Sequence, residues 1–296
     1  MSVTTPAPVP PAPAPSGGSS PARVTRATRA AWVAADSWTI ALRDLRHWVR
    51  RPGPVVVGWF FPVLTVLMFG GLFGGAIGGP GGSSGGSGTG DYIDFLVPGM
   101  FAMAMLFGLE STMTAVTTDA SRGVTDRFRS MPMNSSVVVM GRGIADMLDS
   151  AVGLAVLFAA GLLLGWRAEG GPAGTLAAVG LLLLLRFALL WVGIFIGLVA
   201  GGPEAVTSVQ ILVWPAGFLS GVFVDPATMP SWLGAVAEWN PLSATATAVR
   251  GFFGDPGRVG ESWVAQHAAT MAVLWPLLLI AVFLPLSART FRRLGD

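Results

Sequence analysis

Leu176–Ala200 reads LAAVGLLLLLRFALLWVGIFIGLVA, a run whose one charge is Arg186. A helix needs about 20 apolar residues to cross a hydrocarbon core of about 30 Å. No water is available there for backbone polar groups, so a spanning apolar segment must be helical. Working outward, five further apolar blocks cover residues 55–77, 93–118, 144–166, 205–224 and 266–287. Of the 296 residues, 52% are hydrophobic and only 11% charged, against about 25% charged in an average soluble domain. Mean hydropathy is +0.65. The expected fold is therefore an all-α integral membrane protein with six transmembrane helices.

Residue counts exclude several chemistries. The chain has no Cys and two His, His47 and His267, which removes disulfides, thiolate metal sites and a histidine-built metal centre. All 18 basic residues are Arg. A Walker A loop places a Lys on the β/γ-phosphates, so this chain is not a P-loop ATPase, and a Lys Schiff base is equally excluded. The sequence pI is near 10.3, but the net charge is only +2 and the Arg residues flank apolar blocks. That pattern reports membrane orientation and gives no reason to expect nucleic acid.

Residues 1–29 are a Pro/Ala-rich tract without apolar periodicity, expected to be a disordered tail. Residues 30–52 carry the pattern of an amphipathic helix. Trp38, Ala41, Leu42, Leu45, Trp48 and Val49 share one side, Arg43, Arg46, His47 and Arg50 the other, and Pro52 stops it. An Arg-rich helix with Trp on its apolar face is expected to lie in the lipid interface. Residues 53–296 then form the six-span domain.

The Arg bias orients the chain. With the N-terminus inside, the cytoplasmic side carries Arg23 to Arg51, Arg122, Arg127, Arg129, Arg142, Arg289, Arg292 and Arg293, and the outer side only Arg167, Arg250 and Arg258. Both termini are expected in the cytoplasm. Between the fifth and sixth spans, Ser231–Trp239 and Ser243–Phe253 read as two short helices after the turn signals Met229-Pro230 and Asn240-Pro241. At about 1.5 Å per residue neither can span. They fit a re-entrant pair on the outer face.

Ionisable residues inside spans are functional candidates. Glu110 sits in the second span, toward its cytoplasmic half, where it suits a cationic substrate, an Arg partner or a hydrogen bond to a neighbouring helix. Glu110 and Thr114, with Glu238 and Asn240 of the outer pair, are the candidates for a transport pathway. Arg186 is expected to snorkel to the outer headgroups if the fourth span begins near Leu181. Glu204 suits the first turn of the fifth helix. Gly70 and Gly74, and Gly193 and Gly197, give small-xxx-small faces for helix packing. Ser220 and His267, near the outer ends of the fifth and sixth spans, are the one pair that a serine-hydrolase reading offers. An ion-coupled secondary transporter is the other rival, although no clear inverted repeat accompanies Glu110.

The loop between the second and third spans contains Gly123–Met133, GVTDRFRSMPM. It reads as a short charged helix ended by Pro132, with Phe128 as an aromatic among Asp126, Arg127 and Arg129. Phe128 suits either an anchor in a partner's groove or a contact with the bundle.

This segment, followed by GRGIAD (Gly141–Asp146), resembles the drug-resistance exporter permeases of the type 2 ABC transporter family. So do RDLRHWVRRP (Arg43–Pro52) leading into FPVLTVLMFGGLFGGAI (Phe61–Ile77), FLVPGM (Phe95–Met100), GPEAV (Gly202–Val206) and Phe218–Ser243, FLSGVFVDPATMPSWLGAVAEWNPLS. The resemblance runs from about residue 40 to the end. It implies a non-enzymatic permease subunit in a bacterial cytoplasmic membrane, paired with a second permease, identical or different, and docked on two cytoplasmic ATPase subunits. ATP and magnesium would belong to those partners. It assigns docking to Asp126, Arg127, Phe128, Arg129 and Met131 and to Arg43, Arg46 and Arg50. It implies hydrophobic drugs or antibiotics as cargo, with lipids or glycans as the alternative. The absence of Lys agrees independently, since such a chain needs a separate motor.

Overall fold

The computed structural model describes residues 52–77, 89–121, 135–200, 202–254 and 262–293. Every regular element among them is helical. In chain order they are α1 (Pro52–Ile77), α2 (Thr89–Ser121), α3 (Ser135–Leu163), α4 (Gly171–Val199) and α5 (Pro203–Phe218). A 3-10 turn at Pro226–Thr228 precedes α6 (Ser231–Glu238), α7 (Pro241–Phe253), α8 (Trp263–Gln266) and α9 (Ala268–Arg293). The expected tail, the amphipathic helix as far as Arg51 and the charged loop helix with Asp126, Arg127, Phe128, Arg129 and Met131 lie outside the described residues, as do Arg43, Arg46 and Arg50.

Among the described residues, α1, α2, α3, α4 and α9 are long and apolar enough to cross a membrane. The fifth expected span is shorter than its apolar block. The helix covers Pro203–Phe218, 16 residues, about 24 Å at 1.5 Å per residue, and the chain leaves helical geometry before Val224. Pro215 and Gly217 weaken this end, and side chains from α7 take over its carbonyls, as described below. The third span also ends early, at Leu163 in place of residue 166. Gly165 adopts φ +102°, Trp166 N donates to Gly161 O at 3.0 Å and Gly165 N to Leu162 O at 3.3 Å. These are the two bonds of a Schellman stop, which favours Gly at the left-handed position. The two short helices agree with expectation to within two residues at each end.

Helix α2 is the centre of the bundle. Leu96, Val97, Met100, Phe101, Ala102 and Met103 are all fully buried on it. Lipid is as apolar as Leu, so helices associate in a membrane through close approach and hydrogen bonds. α4 meets both conditions. A Cβ on Gly193 would lie 3.0 Å from Leu109 O, and one on Gly197 would lie 2.8 Å from Val116 Cβ. Thr117 Oγ1 donates across the same seam to Gly197 O at 3.2 Å. α9 packs along α4 and α7, with Ser287 Oγ donating to Trp191 O at 3.2 Å.

The end of the bundle that carries α6 and α7 is closed by aromatics. Trp166, in the α3–α4 connection, folds inward to 2% exposure. It meets Phe101, Phe158 and Phe253 edge-on at 5.4, 5.2 and 4.9 Å, the favoured geometry for ring quadrupoles. Gly170 N then donates to Phe253 O at 2.7 Å, joining the α3–α4 connection to the end of α7. At the opposite end, Arg142 near the start of α3 pairs with Asp119 near the end of α2.

Candidate functional site

Three polar arrangements stand out among the described residues of the apolar bundle. The first surrounds Arg186. α4 is 29 residues long, and Arg186 is near its middle, about 20 Å from either end at 1.5 Å per residue. The side chain is 1% exposed. Nε donates to Ser150 Oγ at 2.6 Å and Nη2 to Thr112 Oγ1 at 2.8 Å. Thr112 Oγ1 in turn donates to Asp146 Oδ2 at 2.7 Å, and that carboxylate lies 3.9 Å from Nη2. One turn along α3, Asp149 Oδ1 accepts from Trp59 Nε1 of α1 at 2.9 Å. Gly108 makes room, since a Cβ there would strike the guanidinium.

This overturns the expectation that Arg186 snorkels to the headgroups. The charge stays in the bundle because α2 and α3 supply acceptors at its own depth, which an isolated helix lacks. A charge at the bilayer centre costs about 2.5–3.5 kcal/mol on insertion scales, and pairing with hydrogen bonds is what makes burial tolerable. The node links α2, α3 and α4 directly, and Asp149 extends it to α1.

The second arrangement is the seam between α2 and α5. Phe107 and Trp214 have ring centroids 5.2 Å apart, and Phe61 of α1 meets both, at 5.5 and 5.8 Å. Gln210 Nε2 approaches Thr114 Oγ1 at 3.5 Å. Glu110 falls between Phe107 and Thr114 at helical spacing, on the face turned toward α5. Its Oε1 is buried without a hydrogen-bond partner. The seam therefore combines a carboxylate, a hydroxyl, an amide and an aromatic wall. That is the chemistry for holding an apolar body with a cationic or hydrogen-bonding group.

The third arrangement is the broken end of α5. Asn240 Nδ2 donates to Ala216 O at 2.8 Å and Leu219 O at 2.9 Å, while its Oδ1 caps α7 by accepting from Leu242 N at 2.9 Å. Gly221 N donates to Ser243 Oγ at 2.8 Å. Arg250, 4% exposed, donates to Gly221 O at 2.9 Å and Val222 O at 3.1 Å. Irregular backbone is stable at membrane depth only where its polar groups find protein partners, and α7 provides them.

The expected site residues thus fall in two places. Glu110 and Thr114 share the α2/α5 seam. Asn240, and Glu238 in the last turn of α6, belong to the α6/α7 end. Phe95, which Arg250 holds, and Glu110 are about 22 Å apart along α2 at 1.5 Å per residue. Gly193 and Gly197 pack α4 on α2 within the chain. A Cβ on Gly70 would make only ordinary contact with Ile93 of α2, at 3.6 Å, and Gly74 lies on α1. Ser220 does not meet His267. Its hydroxyl donates to Gly217 O and accepts from Val222 N at 3.3 Å, whereas His267 stacks on Trp263 and bonds Trp263 O through Nδ1 at 2.9 Å. A hydroxyl that gives its proton to a backbone carbonyl is not activated for attack.

Sequence reasoning missed Asp146, Asp149, Trp59, Ser243 and the buried state of Arg250. The first two stand in the span block 144–166 and carried the available signal, as carboxylates inside an apolar run.

Residues 36–253 match the ABC-2 type transporter family. The chain belongs to that family. It is 33% identical over 272 residues to the daunorubicin resistance ABC transporter permease protein DrrB1 of Streptomyces coeruleorubidus, covering 91% of this chain and 89% of that one. It is also 23% identical over 193 residues to the probable multidrug ABC transporter permease YbhR of Escherichia coli strain K12, covering 64% of this chain and 50% of the relative. The ABC-2 match includes all three polar arrangements. It makes the hydrolase reading unnecessary.

Proposed function

We propose that this ABC-2 permease is the membrane half of an ATP-driven exporter of hydrophobic, preferentially cationic, drugs or antibiotics. The observation that carries the reading is the end-to-end likeness to a daunorubicin resistance permease. The α2/α5 seam, with Glu110 beside Phe107 and Trp214, supports the same cargo chemistry. In this reading α5 and the segment as far as Val224 together make the fifth of six crossings, and α6 and α7 form the outer re-entrant pair. Both termini are cytoplasmic, and the membrane is the bacterial cytoplasmic membrane.

The motor is a pair of separate ATPase subunits, and a second permease completes the transporter. The loop around Asp126–Met131 and the helix carrying Arg43, Arg46 and Arg50 dock on the motor. The Arg142–Asp119 pair joins α2 to α3, the helices on either side of that loop in sequence, so ATP-driven closure of the motor would reach the bundle by a short route. The work is coupling between a partner site and a bistable bundle, and no bond is made or broken in the permease.

The test is purification in mild detergent from the native host, followed by an ATPase assay. The expected result is a stoichiometric nucleotide-binding subunit, with hydrolysis stimulated by a hydrophobic cation. A chain that purifies alone and moves solute under an ion gradient without ATP would replace this reading with that of a secondary transporter.

A further inference from the structure

The two helices of the α6/α7 pair are unlike. α7 is buried over most of its 13 residues and packs on α2, α4 and α9. α6 has eight residues, of which Gly234 and Ala237 are buried. A Cβ on Gly234 would lie 2.7 Å from Pro226 O, so this side of α6 rests on the 3-10 turn. The other side carries Trp232, Val236 and Trp239, which are 70, 53 and 57% exposed. They stand at i, i+4 and i+7, one stripe of a helix. Among the described residues neither indole has a ring contact or a hydrogen bond. An isolated helix shorter than about 12 residues is marginal in water, and most helical stability comes from packing an apolar face. Two small buried residues do not supply that, so the Trp stripe needs a partner.

Depth and chemistry identify that partner. Trp239 is followed by Asn240, which bonds Ala216 O and Leu219 O. Those carbonyls lie about 20 and 24 Å along α5 from Pro203 at 1.5 Å per residue, near the outer edge of a hydrocarbon core of about 30 Å. Phe218, Leu219 and Val224 beside them are exposed and apolar, so the stripe continues an apolar surface at the broken end of α5. Indoles gather at this level of a bilayer, with the ring among acyl chains and the N–H toward headgroups and water. A second copy of the chain fits less well. A stable protein interface takes about 800 Å² from each partner. Two partly exposed indoles, each burying about 150–250 Å² when fully covered, together with one Val supply about half of that.

We propose that α6 is a membrane-surface helix, with Trp232, Val236 and Trp239 seated in the headgroup–acyl boundary of the outer leaflet. Lipid is its partner, and through Asn240 the anchored helix fixes the height of the broken end of α5. This goes beyond the exporter reading and needs only that the long helices cross a bilayer with α6 on the outer side.

The chain has no Cys, so Val236→Cys carries the only nitroxide label on the full-length protein in lipid nanodiscs. Collisions with oxygen, which concentrates among acyl chains, and with a water-soluble nickel chelate, which stays out of them, read its surroundings. Leu277→Cys marks the hydrocarbon core, since Leu277 is 49% exposed on α9 and about 14 Å along it from Ala268 at 1.5 Å per residue. The Val236 label should meet both reagents. Its oxygen-to-nickel ratio should lie several-fold below that at Leu277 and several-fold above that of free label in buffer. Trp232→Ser with Trp239→Ser should drop the Val236 ratio to the buffer value and leave the Leu277 ratio unchanged. If the double variant disturbs Leu277, Trp232→Ser alone decides, and it should lower the Val236 ratio in the same direction. A buffer-like ratio with both Trp present would put the stripe in water and overturn the proposal. So would a ratio equal to that at Leu277, which submerges the helix. Few collisions with either reagent would mean that protein covers the stripe, a second copy included, and would overturn it too. An interfacial ratio that survives the loss of both indoles would remove them as the anchor. None of these readings involves ATP or cargo, so the exporter reading stands or falls separately.

Discussion

Arg186 of α4 donates from Nη2 to Thr112 Oγ1 of α2 at 2.8 Å, and the same hydroxyl bonds Asp146 Oδ2 of α3 at 2.7 Å. Three helices therefore share one proton-ordered chain in which the cation donates, the hydroxyl relays and the carboxylate accepts. Removing the cation alone leaves Asp146 without its counter-charge in a low-dielectric interior. Arg186→Met should destabilise the fold by about 3–5 kcal/mol, the usual scale for breaking a buried pair from one side. Adding Asp146→Asn should recover part of that loss, because the group that Thr112 bonds is then neutral, although Asp149 remains beside it. Tryptophan fluorescence during denaturant unfolding in detergent measures both steps. Equal stability of the single and double variants would mean that the charges are not coupled.

The α2/α4 seam supports a sharper packing test. A Cβ on Gly197 would lie 2.8 Å from Val116 Cβ and 3.0 Å from Met113 O, whereas one on Gly180 of the same helix would meet nothing within 4 Å. Gly197→Ala should cost about 1–3 kcal/mol, the scale of overpacking. Gly180→Ala should be neutral or slightly stabilising, since Ala is the better helix former. The two thermal midpoints in one detergent separate these outcomes, and a harmless Gly197→Ala would remove the close approach from the account of the bundle.

These cases mark what the sequence made legible. Span positions were readable because hydrophobic length is a local property: the blocks at 55–77, 93–118 and 176–200 each lie within a helix, give or take one residue. The breaks were less so. The fifth block stays apolar to Val224, yet its helix stops at Phe218 because Asn240, Ser243 and Arg250, more than 20 residues later, supply donors and acceptors that replace helical bonds. Arg186 was misplaced, and the burial of Arg250 missed, for a related reason. Charge counting assigns an Arg to a headgroup or a loop by its place along the chain, and cannot see acceptors that tertiary packing brings to it. Glu110 was singled out as a candidate because it is the one charge between Phe95 and Thr118, whereas Asp146 and Asp149, carboxylates in a less uniform block, were passed over, and Trp214 looked like any aromatic in a span.

The α2/α5 seam makes a prediction about selectivity. If Glu110 meets the cargo, its charge should matter for cations and little for neutral compounds of similar size. Glu110→Gln keeps the shape and one hydrogen-bonding oxygen. It should reduce export of a hydrophobic cationic dye about tenfold, on the order of 1.4 kcal/mol, and leave a neutral dye within a factor of two or so. Trp214→Ala should weaken both, since it removes the aromatic wall. Export from inverted vesicles containing the ATPase, measured with both dyes, gives the ratio. Equal losses for the two dyes in Glu110→Gln would assign that carboxylate to helix packing.

The Arg142–Asp119 pair bears on coupling. It ties Asp119, in the last turn of α2, to Arg142, about two turns into α3, and these are the two helices that precede and follow the segment containing Phe128 and Arg129. If that segment docks on the motor, the pair fixes the angle at which a push from the motor enters the helices. Phe128→Ala and Arg129→Ala should then abolish export and release the ATPase subunit on purification, with no change in thermal stability, because they alter the docking surface alone. Arg142→Ala should act differently. The ATPase should stay bound, its basal hydrolysis should persist, and export per ATP should fall several-fold. The exchange Arg142→Asp with Asp119→Arg should restore part of it, since only the ion pair and not its polarity is needed to hold the two ends together. Coupling is read as the ratio of dye exported to phosphate released. If Arg142→Ala loses the ATPase as Phe128→Ala does, the pair belongs to the docking surface; if its ratio is unchanged, the push enters the bundle elsewhere.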